Sequence, residues 1–223
     1  MSRCGRRSST ADNGVMPGVC RVVGFDVDLT LVDTRERIVS SAVAGFADLG
    51  VVVTATQIEP HLGIPLAGKV AALAPDLSVE EFVDRYRYHY HLPTAARSPA
   101  MPGARDAVSA VHDAGDRVVV VSAKVDWMAR AAVEEAGLGE LVDTVHGSLF
   151  GADKAIALRA ERAWVYVGDH PADVAAAHAA AAHAVAVGTG AHGCTALVSA
   201  GADTVLPDLR AFRPWYEDYH RTG

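Results

Sequence analysis

The chain has 223 residues, 50% of them hydrophobic and 21% charged, with a net charge of −7. An acidic chain without a dominant basic patch is a poor match for nucleic acid, and no run approaches the roughly 18 apolar residues of a membrane helix, so neither partner is expected. The length suits one core domain with an insertion, or two small domains.

Residues 1–17 are rich in Arg and Ser and lack the apolar stretch of a secretory signal. The pair Arg6-Arg7 is not followed by the hydrophobic run that twin-arginine export needs. A disordered tail is expected there. Cys4, Cys20 and Cys194 are odd in number, scattered and without metal-ligand spacing. They point to reduced thiols in a reducing, cytoplasmic compartment.

The apolar run Arg21-Val22-Val23-Gly24-Phe25 predicts a short buried strand. It ends in Asp26-Val27-Asp28-Leu29-Thr30. We read the chain as turning at Val27, which crowds both carboxylates at the strand's C-terminal end. Like charges that close raise one pKa unless a cation or a shared proton intervenes. Metal binding combined with nucleophilic or acid–base work gives such a pair a purpose. Taken alone, the stretch also fits a surface turn with two solvated aspartates.

The pattern then becomes helical. Ile38, Ala42, Gly45, Phe46 and Leu49 share one helix face, and Gly50 sits where a C-terminal cap belongs. A short helix over 56–61, the loop Leu62-Gly63-Ile64-Pro65-Leu66 and an Ala-rich helix over 67–73 follow. Ser78 and Glu81 form a capping box that opens a helix running to about His91. Its segment Arg85–His91 mixes aromatics with positive charge, as single-strand binders do. On a helix those side chains point all ways, so we read them as core and rim. Pro93, Pro99 and Pro102 punctuate the exit. Residues 34–99 therefore predict a small all-α domain inserted after the first strand, with a core assembled from 18–33 and 100–223.

From there strand and helix alternate. Helices are predicted over 103–114, 127–136, 154–162 and 171–181, and strands over 117–122, 144–147, 164–167, 184–187 and 204–206. The run Arg117 to Ser122 is the strongest strand, continuous enough for burial on both faces. The tail over 208–219, with Phe212, Trp215 and Tyr219, is expected to dock as a helix or an irregular segment. Alternating units imply α/β architecture, a doubly wound parallel sheet carrying the helical insert. Ligands of such sheets bind outside the carboxyl ends of the strands. Asp26, Asp28, Ser122 and Asp169 all fall at strand ends, so they converge on one rim.

Gly168-Asp169-His170-Pro171-Ala172-Asp173 brings a second acidic pair to that rim, although Asp173 could also serve only as helix N-terminal charge. The counter-charge expected for these acids is a hard divalent cation, and Mg²⁺ suits few carboxylates, several waters and a substrate phosphate. Ser122 reads as a binding hydroxyl, since no nucleophile-elbow pattern surrounds it. The backbone N–H groups that follow it, starting at Ala123, and those after Asp26 are placed to form an anion nest. Lys154 at a helix start opposes the macrodipole, which suggests service to an anion; on its own it reads as a surface lysine. His178 and His183 lack a third ligand and are not assigned to a metal.

Asp26-x-Asp28-x-Thr30, then Ser122, then Lys154, then Gly168-Asp169-x-x-x-Asp173 resembles the four ordered motifs of the haloacid dehalogenase-like phosphohydrolases. The insert after the first motif resembles the helical cap of phosphoglycolate phosphatase-like and β-phosphoglucomutase-like members, on a Rossmann-like core. The resemblance implies that Asp26 is the nucleophile and becomes an aspartyl-phosphate. It implies that Asp28 protonates the leaving oxygen and later activates water, and that Ser122 and Lys154 hold the phosphoryl group. Mg²⁺ would be bound by Asp26, the backbone carbonyl of Asp28 and Asp169, with Asp173 supporting it directly or through water. The loop at 62–66 resembles the substrate-facing cap loop, with Lys69 one turn beyond it, either touching substrate or solvated.

Two departures stand out. The family usually has Gly where this chain has Leu29, and many relatives carry Asn just after the Ser/Thr of the second motif, where this chain runs Ser122-Ala123-Lys124. Lys124 is read as reaching the substrate or the cap, or as pointing to solvent. The expected activity is hydrolysis of a small phosphorylated metabolite by a monomer or homodimer. A sugar phosphomutase would share every catalytic residue. A dehalogenase would not need Asp28, and a non-catalytic binding module would not need Asp26, Lys154 and Asp169 together.

Overall fold

Runs of β-branched residues build the sheet. In the computed structural model, which describes residues 20–92 and 95–222, six strands form: β1 (Val22–Phe25), β2 (Arg117–Val121), β3 (Thr144–His146), β4 (Val165–Gly168), β5 (His183–Val187) and β6 (Thr204–Leu206). The tail expected at 1–17 and Pro93 lie outside the described residues. The strand order is β3-β2-β1-β4-β5-β6 and every pairing is parallel. β1 is flanked by β2 and β4, with Phe25 in register with Val120 on one side and Val167 on the other. Connections run outward to β2 and β3, then reverse to β4, which makes β1/β4 the switch point where such sheets open a crevice.

The strand residues alternate between two cores. Val23, Phe25, Val118, Val120, Val165 and Val167 face α5 (Ala104–Asp113), α6 (Asp126–Glu135) and α10 (Phe212–Thr222). Val22, Val119, Val121, Tyr166, Ala184 and Ala186 face α7 (Ala152–Glu161), α8 (Pro171–Ala179) and α9 (Cys194–Ser199). Each buried Val is worth about 1.5–3 kcal/mol of transfer free energy, so the two faces together dominate the core's stability. The C-terminal segment docks as a helix: Phe212 and Tyr216 are fully buried, and the Phe212 and Phe25 rings lie 5.4 Å apart.

The insert comprises α1 (Arg35–Asp48), α2 (Ala55–Ile58), α3 (Leu66–Leu73) and α4 (Val79–Tyr90). It has its own apolar cluster around Ile38, Phe46, Ile58, Val70, Phe82 and Tyr86, and Phe46 stacks on Phe82 at 4.2 Å. Leu29 and Met128 enter that cluster from the core side. Tyr86 and Tyr90 of the aromatic run are buried, whereas Tyr88 is exposed, as a helix requires.

Three local expectations need correction. The Ser78 hydroxyl accepts the Glu81 N–H at 3.3 Å, but the reciprocal bond from Glu81 is missing among the described residues. Reciprocal boxes close instead at Thr54 and Gln57 and at His170 and Asp173. α7 starts at Ala152 rather than Lys154, so Lys154 lies in its first turn. Helix α9 was not anticipated, because six residues are too few to show a period. Among the described residues no helix is long and apolar enough to cross a membrane.

Candidate active site

The rim is built outward from the end of β1. The Asp26 N–H still donates to the Val167 carbonyl at 2.9 Å, so its Cα remains in the ladder. The chain then folds tightly. Thr30, Leu31 and Val32 all donate their N–H groups to the Val27 carbonyl, at 3.3, 3.0 and 2.9 Å. This closure requires a left-handed residue, and Leu29 adopts φ 59°. The position usually held by Gly in the resembling family is therefore a strained one. Here the strain is offset by burial of the Leu29 side chain, 1% exposed, against the helical insert.

Four elements deliver charge to one point. Asp26 Oδ1 accepts its neighbour's Val27 N–H at 2.7 Å, and Oδ2 lies 3.0 Å from Lys154 Nζ. Lys154 reaches in from α7 and also pairs with Asp173 Oδ1 at 2.6 Å. Tyr166 completes the lysine's shell: its hydroxyl accepts from Nζ at 3.0 Å and donates to the Val121 carbonyl at 2.7 Å. Asp173 Oδ2 accepts the His170 N–H at 3.1 Å, and Asp169 Oδ1 accepts the Thr30 hydroxyl at 2.9 Å. A Cβ on Gly168 would collide with the Asp173 carboxyl, so only glycine lets that acid approach the end of β4. Ser122 is fully buried, and its hydroxyl accepts the Lys124 N–H at 3.3 Å.

The electrostatics are strained toward excess negative charge. Burial pushes the Asp26 carboxyl up to about 6, with Asp173 and Asp28 adding to the rise and Lys154 and the Ser122 hydroxyl opposing it. Burial also raises Asp169 well above the carboxylate range, reinforced by Asp173 and Asp26. Burial would lower Lys154, but the Asp173 and Asp26 carboxylates outweigh it and hold the ammonium charged. Asp26, Asp169 and Asp173 each present an oxygen within 4.8 Å of the others, all buried. One lysine cannot neutralise three carboxylates. An all-oxygen, carboxylate-rich donor set of this kind suits a hard divalent cation such as Mg²⁺.

Of the residues singled out by sequence, Asp26, Ser122, Lys154, Asp169 and Asp173 gather here. The Asp28 carboxylate does not join the acidic cluster. It faces a cavity of about 110 Å³ between the rim and the insert, with Oδ1 3.1 Å from Lys124 Nζ. Lys124 is 9% exposed and its Nζ donates to the Tyr90 hydroxyl of α4 at 3.0 Å, so it reaches the insert rather than solvent. Lys69 is also buried, 3% exposed, and donates to the Ile64 carbonyl at 2.7 Å; the solvated reading does not hold. Ala123, Lys69 and Lys124 all line the cavity. The proposed nest is only partly available: the Val27 N–H is taken by Asp26, while the Asp28 and Ala123 N–H groups have no protein acceptor among the described residues. Sequence reasoning gave no role to Tyr90 or Tyr166. A phenol inside the otherwise apolar strand Val165–Gly168 was the available signal for the second.

Comparisons with known proteins bear on the family and the fold. Residues 23–187 match the haloacid dehalogenase-like hydrolase family. Pyrophosphatase PpaX of Halalkalibacterium halodurans is 31% identical over 123 residues, covering 54% of this chain and 56% of that protein; the match thus spans little more than half of that relative. Phosphoglycolate phosphatase of Chromobacterium violaceum is 27% identical over 214 residues, covering 85% of this chain and 93% of the relative. The crystal structure of a predicted phosphatase from Clostridium acetobutylicum superposes with a TM-score of 0.80 at 20% identity, covering 90% of this chain and 100% of that one, a likeness of fold alone. With the family match extending over most of the chain and the fold shared with these structures, the chain belongs to the haloacid dehalogenase-like hydrolases.

Proposed function

We propose that this protein is a Mg²⁺-dependent phosphatase that hydrolyses a small phosphomonoester through an aspartyl-phosphate. The observation that carries the reading is the buried Asp26 carboxylate, 3.0 Å from Lys154, with Asp28 two residues on and turned toward the cavity. Asp26 attacks phosphorus and the bond to the leaving oxygen breaks, while Asp28 gives that oxygen a proton. In the second half Asp28 takes a proton from water, whose oxygen attacks phosphorus, releasing phosphate and restoring Asp26. Lys154, the Ser122 hydroxyl and the Ala123 N–H hold the phosphoryl oxygens, where charge spreads in the transition state. A cation held by Asp26, Asp169 and Asp173, with the Asp28 carbonyl, would supply charge neutralisation for a dianionic substrate approaching a carboxylate. Residues 34–99 act as a cap: they wall the cavity, exclude water and select the leaving group.

A panel of phosphorylated metabolites assayed for phosphate release with Mg²⁺ tests the reading. Turnover should vanish in EDTA and return with Mg²⁺, and intact-mass mapping should find phosphate on the peptide containing Asp26. Full activity in EDTA, or a label on Ser122, would overturn it.

A further inference from the structure

Two of the three buried lysines at the rim and cavity have carboxylate partners. Lys154 pairs with Asp26 and Asp173, and Lys124 with Asp28. Lys69 is also buried, yet among the described residues no carboxylate pairs with it; its ammonium has only the Ile64 carbonyl at 2.7 Å. Buried cations without an anion are costly, because desolvation is not repaid by a carbonyl dipole alone. Burial pulls the Lys69 ammonium down to about 8, with Asp28 opposing from a distance and Lys124 adding to the fall. That value still leaves it mainly protonated at neutral pH. Asp28 and Lys124 line the same cavity as Lys69. Ile64, Pro65 and Leu66 on the same loop line the cavity with it, and Arg87 of α4 adds a second, exposed cation to the wall.

We propose that the leaving group of the substrate carries its own anion, a carboxylate or a second phosphate, and that Lys69 binds it. The inference rests on the phosphatase reading above and adds the class of ester. The phosphoryl group occupies the Asp26–Lys154 end, the leaving oxygen meets Asp28, and the anionic tail ends on Lys69. A neutral tail would leave Lys69 unpaired in the closed site. The bound substrate would instead complete its charge pairing, so affinity and choice come from the same contact.

The test compares three Mg²⁺-supported substrates: phosphoglycolate, inorganic pyrophosphate and 2-hydroxyethyl phosphate. The first and last share a two-carbon leaving group and differ in one carboxylate. The wild type should favour at least one anionic leaving group over the neutral ester by about tenfold or more in kcat/KM, the scale of one buried charge contact. Which of the two leads distinguishes carboxylate from phosphate. Lys69→Met should erase most of that preference, and Lys69→Arg should retain it. Lys69→Met should also melt no lower than the wild type, since it loses an unpaired buried charge. No anionic preference in the wild type, equal losses on all three substrates in Lys69→Met, or a markedly lower melting point would each overturn the inference. If the wild type cleaved p-nitrophenyl phosphate without an anionic preference, only this inference would fall. If it cleaved no ester at all, the phosphatase reading would fall with it.

Discussion

The Lys124 ammonium donates to the Tyr90 hydroxyl at 3.0 Å, across the boundary between the sheet and the helical insert. The same ammonium sits 4.6 Å from the centre of the Tyr90 ring and 3.1 Å from Asp28 Oδ1. Burial alone would lower its pKa, but Asp28 and the Tyr90 and Tyr86 phenols outweigh burial and keep it charged. One cation therefore ties the proposed proton donor to the proposed cap. Asp28 Oδ1 is shut off from solvent and, apart from the Lys124 ammonium at ion-pair distance, has no hydrogen-bond partner among the described residues.

If that tie orients Asp28, its loss should depend on the leaving group. Tyr90→Phe keeps the ring and removes the hydroxyl; Lys124→Met removes the cation. Both should lower kcat/KM more on phenyl phosphate, whose leaving oxygen needs a proton, than on 2,4-dinitrophenyl phosphate, whose leaving oxygen does not. General acid catalysis is worth about 10²–10⁴-fold, so a difference of about tenfold between the two esters is the expected reading. Equal losses on both would assign Lys124 to packing or to the phosphoryl group instead.

Lys154 answers to a different logic. It is the one cation within pairing distance of Asp26 and Asp173 among the described residues. Lys154→Met should depress turnover on every ester alike, because it acts on the phosphoryl group common to all of them. It should also destabilise the metal-free protein by about 3–5 kcal/mol, the cost of leaving buried carboxylates without their partner. Chemical denaturation with and without Mg²⁺ would measure this. A substrate-selective loss of activity would contradict the assignment.

Much of the rim was legible in the sequence because three of its residues follow apolar runs. Asp26, Ser122 and Asp169 stand directly after β1, β2 and β4, and parallel topology brings those ends side by side. The facts missed were those that depend on side-chain direction across separate elements. Nothing in the spacing of Lys124 says whether it meets solvent or Tyr90, since the two lie 34 positions apart and meet only when the insert packs. Lys69 presents the same difficulty: helix periodicity places it on α3 but does not reveal that the loop before it folds back to receive its ammonium. The departure at Leu29 was visible, but its compensation was not, because the contacts that bury Leu29 come from the insert.

Metal and pH should be coupled through Asp26. Its carboxyl is raised by burial to about 6 in the folded protein, above the ordinary value of 3.8. The folded state thus holds a proton that the unfolded state has released between those values. Stability of the metal-free protein should therefore be greatest below about pH 4 as far as this group is concerned, and fall as pH rises toward 6. Asp169, raised by burial as well, acts in the same direction. A divalent cation binds the deprotonated carboxylates and releases those protons. The rise in melting temperature on adding Mg²⁺ should be larger at pH 7.5 than at pH 5. A shift independent of pH would count against a metal site built on Asp26 and Asp169.

Leu29 sets two terms against each other. Its left-handed backbone costs about 1–2 kcal/mol for an L-residue with a Cβ. Its side chain, 1% exposed, is buried in the cluster formed by Ile38, Phe46, Phe82 and their neighbours. Removing a buried leucine side chain costs about 2–5 kcal/mol, so the packing term is the larger. Leu29→Gly should relieve the backbone and still destabilise the protein, by a net of about 1–3 kcal/mol. The loss should fall on the contact between sheet and insert, because the leucine belongs to the core loop by chain and to the insert by packing. Hydrogen exchange should show faster opening of 35–90 with the strands little changed, and KM should rise more than kcat falls. A variant as stable as the wild type, with exchange unchanged in the insert, would mean that the side chain does not fasten the two together.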